Sequence, residues 1–253
     1  MKYIEKNFEA CEVVAYEKEL AENQLDKESL ADNSIHPSLQ GPDVYDLVKS
    51  FSTFKDLKEW MFKEQGGICC YCGCRLEYPN HPQYVVEHVF PKDKNRMLAG
   101  EYENFLLSCR PTIEEEQGRM AAPKKEKKSF FHCDKAKESE ILTITPLQED
   151  CQQFFKYDEF GGVVGADDKA QKDVDTLNLN CKWLSKRREA AIDGEIYDED
   201  GNLLPDEELR QRLDSIMNLD KDGMHTEFCF VIKSVLQSLL SQNDAEGKLV
   251  RIL

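Results

Sequence analysis

The spacing of apolar positions changes along the chain and marks out its elements. Phe54, Leu57, Trp60 and Met61 recur at the three-to-four-residue interval of one helix face. Ser52 and Thr53 precede them as a candidate cap, and Gly66-Gly67 follow as a stop that tolerates positive φ. Residues 83–90, Gln83 to Phe90, are aromatic and β-branched and predict a strand halted by Pro91. Phe105-Leu106-Leu107 is a second short apolar run, and residues 133–139 start a helical element. Farther on, Phe154 to Tyr157 and Gly161 to Val164 predict a hairpin. Residues 168–192 predict helix with a break at Leu177 to Asn180, and 205–218 and 226–241 predict two amphipathic helices. Before all of this, Phe8 to Leu25 predicts a helix with Val13, Val14, Tyr16 and Leu20 as its apolar positions. The expectation is an α+β chain in three parts: an N-terminal arm (1–50) that packs on a domain or partner, a central segment (51–140), and a mostly helical region (141–253).

Composition narrows the picture. The 253 residues are 40% hydrophobic and 32% charged, as in a globular protein with a sizeable core. No apolar run approaches the roughly 20 residues that span a membrane, so no membrane role is expected. The start, Met1 to Lys6, has no secretory h-region, so a cytoplasmic location with reduced thiols is expected. Ten cysteines in a reducing compartment favour metal ligation over disulfides. Cys11, Cys151, Cys181 and Cys229 stand alone and read as small buried hydrophobes. The acidic turn Tyr197 to Asn202 lacks the Gly and Glu of a calcium loop and reads as solvated surface. A net charge of −16 argues against non-specific nucleic-acid binding by the whole surface. Any such binding needs a local basic patch, and Lys124, Lys125, Lys127 and Lys128 form the densest basic cluster in sequence.

The chemistry concentrates between Cys69 and Lys137. Cys69 and Cys72 have the two-residue gap of a zinc knuckle, with Gly73 to turn the chain. Cys109 and Cys133 are the natural second pair; Cys70, Cys74 and His132 are alternative ligands. Structural zinc there would hold together a region with little core of its own, at about 10 kcal/mol. Glu87 and His88 point to opposite faces of a strand but can share a site at its end. Hydrolysis of a phosphodiester needs a base near neutral pH, which His88 supplies, and a hard cation, for which Glu87 and Asp134 are the carboxylates. Asn104 can fix the intervening loop through bonds to backbone.

Taken together, Cys-x-Tyr-Cys-Gly from Cys69, Val-Glu-His-Val around Glu87-His88, Asn-Phe-Leu-Leu-Ser-Cys from Asn104 and Cys-Asp-x-x-Lys from Cys133 resemble the HNH endonuclease motif with its zinc cysteines. The resemblance implies a ββα-metal core, His88 as general base, Glu87 and Asp134 on a catalytic Mg²⁺ or Mn²⁺, Asn104 ordering the loop, and Lys137 meeting phosphate. Asp134 departs from the usual His or Asn at its position. The start Met-Lys-Tyr-Ile-x-Lys, the Thr145-Pro146-Leu147 segment and Leu177-Asn178-Leu179-Asn180 with Leu184 and Arg187-Arg188 are similar to the PtuB group of HNH nuclease subunits. Those act in Septu-type and retron-linked anti-phage systems. This implies a hetero-oligomer with an ABC/SMC-like, PtuA-like ATPase, and nucleic acid, DNA favoured, as substrate. A catalytically silent zinc-stapled adaptor and a free-standing HNH nuclease are the competing readings.

Overall fold

Phe54, Leu57, Met61 and Phe62 bury one face of a helix, Phe54–Glu64 (α4). The computed structural model describes residues 1–76, 84–111 and 113–250, with the side chains of 113–115, 125, 127, 128 and 243–250 left aside. Helix α4 ends at Gly66 and Gly67, whose φ angles are +62° and +66°. Its start differs from expectation. Thr53 makes no side-chain cap; instead the Glu19 carboxylate accepts from the N–H of Ser52 and Thr53 at 3.1 Å each and from Thr53 Oγ1 at 2.7 Å. An acid at a helix N-terminus answers both the free N–H groups and the dipole.

Glu19 belongs to a helix over Cys11–Glu22 (α1), which buries Val13, Tyr16 and Leu20 but leaves Val14 exposed. Lys27–Ala31 (α2) follows, capped by Asp26, then Gly41–Val48 (α3), opened by a Gln40/Asp43 capping box with Pro42 in its first turn. A Cβ on Gly41 would lie 1.7 Å from the Lys92 carbonyl oxygen, so only glycine lets α3 approach this closely. The segment 1–50 is integral to the body. Tyr16 Oη donates to the Gly100 carbonyl, and the Arg96 guanidinium donates to the carbonyls of Leu30, His36 and Leu39. Buried apolar residues of all three sequence segments belong to one continuous cluster.

Tyr84–His88 (β1) pairs antiparallel with Phe105–Cys109 (β2), in a register that sets His88 opposite Phe105 and Tyr84 opposite Cys109. Gln83, included in the expected strand, lies outside the described residues. Val89 and Phe90 leave the sheet because Asn104 takes their backbone groups. Helix Ile113–Ala121 (α5) and a 3₁₀ segment over Lys124–Phe130 lead to a one-turn helix, Asp134–Lys137 (α6).

The C-terminal half matches the apolar pattern. Phe155–Tyr157 (β3) and Val163–Gly165 (β4) form the hairpin. Asp168–Thr176 (α7) and Lys182–Ile196 (α8) flank the expected break, where Asn178 has φ of +48°. Asp206–Ser215 (α9) and Cys229–Val250 (α10) follow, and α10 buries Val231, Val235, Leu236 and Leu240 against α8, α9 and β3. The acidic turn is solvated, with the Asp198 carboxylate accepting from the N–H groups of Asp200 and Asn202. Cys151, Cys181 and Cys229 are buried, whereas Cys11 is exposed. No helix among the described residues is long and apolar enough to cross a membrane.

Candidate metal centre and acid-histidine cleft

Cysteines from three separate segments converge at the end of β2. The sulfurs of Cys69, Cys72, Cys109 and Cys133 all lie within 4.8 Å of one another and are buried. Four thiolates at that spacing fit a tetrahedral zinc site, for which Zn–S bonds of about 2.3 Å are expected. The turn is built for it: Gly73 N–H donates to the Cys69 carbonyl at 3.1 Å, and Gly73 has φ of +83°. Cys109 N–H points at Cys69 Sγ (3.3 Å) and Cys74 N–H at Cys72 Sγ (3.4 Å), bonds that stabilise thiolate charge. Burial opposes ionisation of Cys69, yet hydrogen bonds from Cys109, Cys133 and neighbouring thiols pull it well below the usual thiol range. Cys109 is pushed up by hydrogen bonds with the other thiols, and Cys133 by burial. All four can carry charge together only around a cation. The alternative ligands stand beside this set: His132 Nδ1 is 3.3 Å from Cys133 Sγ and 3.7 Å from Cys109 Sγ.

Cys133 has φ of +55°, and its N–H donates to the Leu177 carbonyl at 2.9 Å. This contact sets the start of α6 and hence Asp134, whose N–H donates to Ser108 Oγ at 3.3 Å. Asp134 thereby meets Glu87. Glu87 is 2% exposed, and its carboxyl is pushed up to about 8 by burial and by hydrogen bonding with Asp134, against the Lys137 ammonium. Lys137 is not at the surface, where phosphate would meet it. It is 1% exposed, and its Nζ donates to Glu87 Oε1 at 2.7 Å and to the His88 carbonyl at 3.0 Å. Tyr71 Oη also donates to Glu87 Oε1, at 2.7 Å.

His88 takes the other side of the strand end. Tyr45 and Phe105 meet its ring edge-to-face, with centroids at 4.5 and 5.0 Å. Its Nε2 lies 3.1 Å from the Ala99 carbonyl oxygen. A carbonyl only accepts, so Nε2 carries the hydrogen and Nδ1 keeps a lone pair. Burial and the charge of Lys92 lower its pKa to about 4, so the ring is neutral. Asn104 bonds the loop that follows: Oδ1 accepts from Phe90 N–H at 2.7 Å, and Nδ2 donates to the carbonyls of Phe90 (2.9 Å) and Leu98 (3.0 Å).

Glu87, His88 and Asp134 line one cleft of about 730 Å³. Lys49, Lys58, Lys92, Arg110 and Lys135 also line it, with Asp93 and Glu138 among the acids. These cations come from positions scattered through the sequence, so no basic run announces them. Lys124 is exposed and outside the lining of this cleft. The side chains of Lys125, Lys127 and Lys128 lie outside the described residues. Tyr71 and Tyr45 were also missed by sequence reasoning. For Tyr71 the signal was its place inside the cysteine turn, since a buried phenol needs a hydrogen-bond partner. No model of a known protein family and no curated protein matches this chain.

Proposed function

We propose that the chain is an HNH-type, metal-dependent endonuclease that hydrolyses phosphodiester bonds of nucleic acid. The observation that carries this reading is the pairing of Glu87 and Asp134 beside a neutral His88 in a cleft rimmed by cations. The donor set fits a hard cation. Two neighbouring carboxyl groups, one buried, supply oxygen ligands and leave other positions for water and phosphate, as Mg²⁺ or Mn²⁺ requires. Such an ion, when bound, supplies charge neutralisation at the phosphate and the departing oxygen.

The chain's own groups perform the remaining tasks. His88, with Nε2–H held by Ala99, accepts a proton from water at Nδ1. The water oxygen forms the new bond to phosphorus while the bond to the leaving ribose oxygen breaks. Lys92 and Arg110, which line the same cleft, balance phosphate charge. Asn104 keeps the loop after β1 in place. The four cysteines tie β2, the Cys69 turn and the start of α6 into one unit, so that Asp134 stays beside Glu87.

Within this reading the enzyme works beside an ABC/SMC-like ATPase in anti-phage defence. The net charge of −16 supports a partner that shares nucleic-acid binding, because the surface as a whole repels a polyanion and the cations lining the cleft act only locally. A second reading, a silent adaptor, draws on Lys137, whose ammonium already neutralises Glu87.

A cleavage assay separates them. Purified chain with Mg²⁺ or Mn²⁺ is offered plasmid DNA and a tRNA pool, with His88→Ala as control. Cleavage by wild type and none by a folded, zinc-loaded His88→Ala is the expected result. Undiminished cleavage by that variant would sink the assignment. Silence from both, persisting with the co-purified ATPase, would favour the adaptor.

A further inference from the structure

Tyr71 connects the two halves of the site. Its backbone lies in the cysteine turn, which is fixed by Cys69 N–H to the Cys74 carbonyl (2.8 Å), Cys70 N–H to the Leu107 carbonyl (3.1 Å) and Gly73 N–H to the Cys69 carbonyl (3.1 Å). Its side chain is 0% exposed and ends on Glu87 Oε1 at 2.7 Å. Lys137 Nζ ends on the same oxygen, also at 2.7 Å. Two donors thus share Oε1, so the remaining contact of the carboxyl, its hydrogen bond with Asp134, is where a cation shared by the two carboxyl groups would enter. Carboxylate rotation would break both bonds inside the core, where neither donor has water to replace its partner.

We infer that Tyr71 is a positioning residue: from the zinc turn it holds one oxygen of Glu87 and so aims the carboxyl at the catalytic cation shared with Asp134. This rests on the proposed role of Glu87 and Asp134 as ligands of that cation. Lys137 cannot do the same alone. Its charge repels a dication, and it stands on α6, which also carries Asp134. A phenol contributes direction without charge.

The test uses the full zinc-loaded chain and Mn²⁺ alone as probe, with bound Mn²⁺ read from the loss of the free-ion EPR signal. Tyr71→Phe removes one hydroxyl and keeps the ring. The expected result is full zinc content, a cooperative melting transition at a somewhat lower temperature, and Mn²⁺ binding weakened about tenfold, the size of one charge-assisted hydrogen bond. The half-activating Mn²⁺ concentration for cleavage should rise in step, while the rate at saturating Mn²⁺ stays near wild type. Wild-type Mn²⁺ affinity in Tyr71→Phe would overturn the inference. So would loss of zinc from Tyr71→Phe, because the hydroxyl would then be holding the turn rather than the carboxylate. Absence of Mn²⁺ binding by wild type would instead remove the cation reading itself, and the inference with it.

Discussion

Glu87 carries a large electrostatic tension in the lining of the cleft. An ordinary glutamate ionises at about 4.5; here burial and the neighbouring Asp134 raise the value to about 8. A raised carboxyl binds a proton in the folded chain that the unfolded chain has released. Its contribution to stability is therefore fully present below pH 4.5 and is lost as pH rises through about 8. His88 runs the opposite way. Its value falls to about 4, so its contribution is present above the unfolded value of 6.5 and is lost as pH falls through 4. The window from pH 6.5 to 8 thus excludes His88 and reports Glu87. In zinc-loaded chain free of Mg²⁺ and Mn²⁺, Glu87→Gln should gain stability relative to wild type as pH rises across that window, by about 2 kcal/mol at most. Subtracting wild type removes every other titrating group. Urea unfolding of both proteins at pH 6.5, 7.25 and 8 measures it, and a difference that stays flat would mean that Glu87 is ionised throughout. The same neutral His88 predicts that cleavage at saturating Mn²⁺ shows no inflection at pH 6.5, the mark an exposed histidine base would leave.

Elements that obey one period were legible from sequence, and elements held by distant partners were not. The apolar faces of α4 and α10 and the alternation around β1 and β3–β4 depend on neighbours in the chain, and they appear where the pattern puts them. The four cysteines were legible too, because thiol pairs have few other uses in that spacing. The start of α4 was misread: Ser52 and Thr53 look like caps, but Glu19 from α1 reaches their N–H groups first. Leu177 to Asn180 read as a break and as part of a family resemblance, but not as a structural contact, since what it holds lies far back in sequence. Asn178 Nδ2 donates to the carbonyls of Ser129 (3.1 Å) and Phe131 (2.7 Å), and Leu177 accepts from Cys133 N–H. The break is therefore a clasp on the segment that carries the fourth cysteine. Asn178→Ala should lose two hydrogen bonds and strain a left-handed residue, at about 2–4 kcal/mol in all. Asn178→Gly should recover the conformational part and leave only the lost bonds. Zinc should leave the alanine variant faster in competition with a chromogenic chelator. Equal stability of the alanine and glycine variants would show that φ at this position carries no strain.

At the scale of the whole molecule, a chain of net charge −16 has gathered Lys49, Lys58, Lys92, Arg110 and Lys135 around one cleft. None of these is a neighbour of another in sequence, and the fold alone assembles them. Lys49 follows α3, which the contact between Gly41 and Lys92 draws to the cleft, and Lys58 lies on α4. The segment 1–50 thus furnishes part of the site, which its acidic composition hides. Long-range repulsion by the acidic surface is screened within about 8 Å at physiological ionic strength, so these local cations decide contact with a polyanion. If the proposed nuclease holds phosphates there, Lys49→Glu with Lys58→Glu should weaken nucleic-acid binding and make it less salt-dependent. The slope of log affinity against log salt should flatten by about 0.9 per lost phosphate on duplex and about 0.7 on single strand. Cleavage at saturating substrate should persist, because neither lysine is assigned to the chemistry. Lys124→Glu, outside the cleft, should leave both slope and affinity unchanged. Fluorescence anisotropy at several salt concentrations measures all three proteins. Should Lys124→Glu weaken binding as much as the double variant, the phosphate track would run across the 3₁₀ segment before α6, and the cleft would receive only the scissile group.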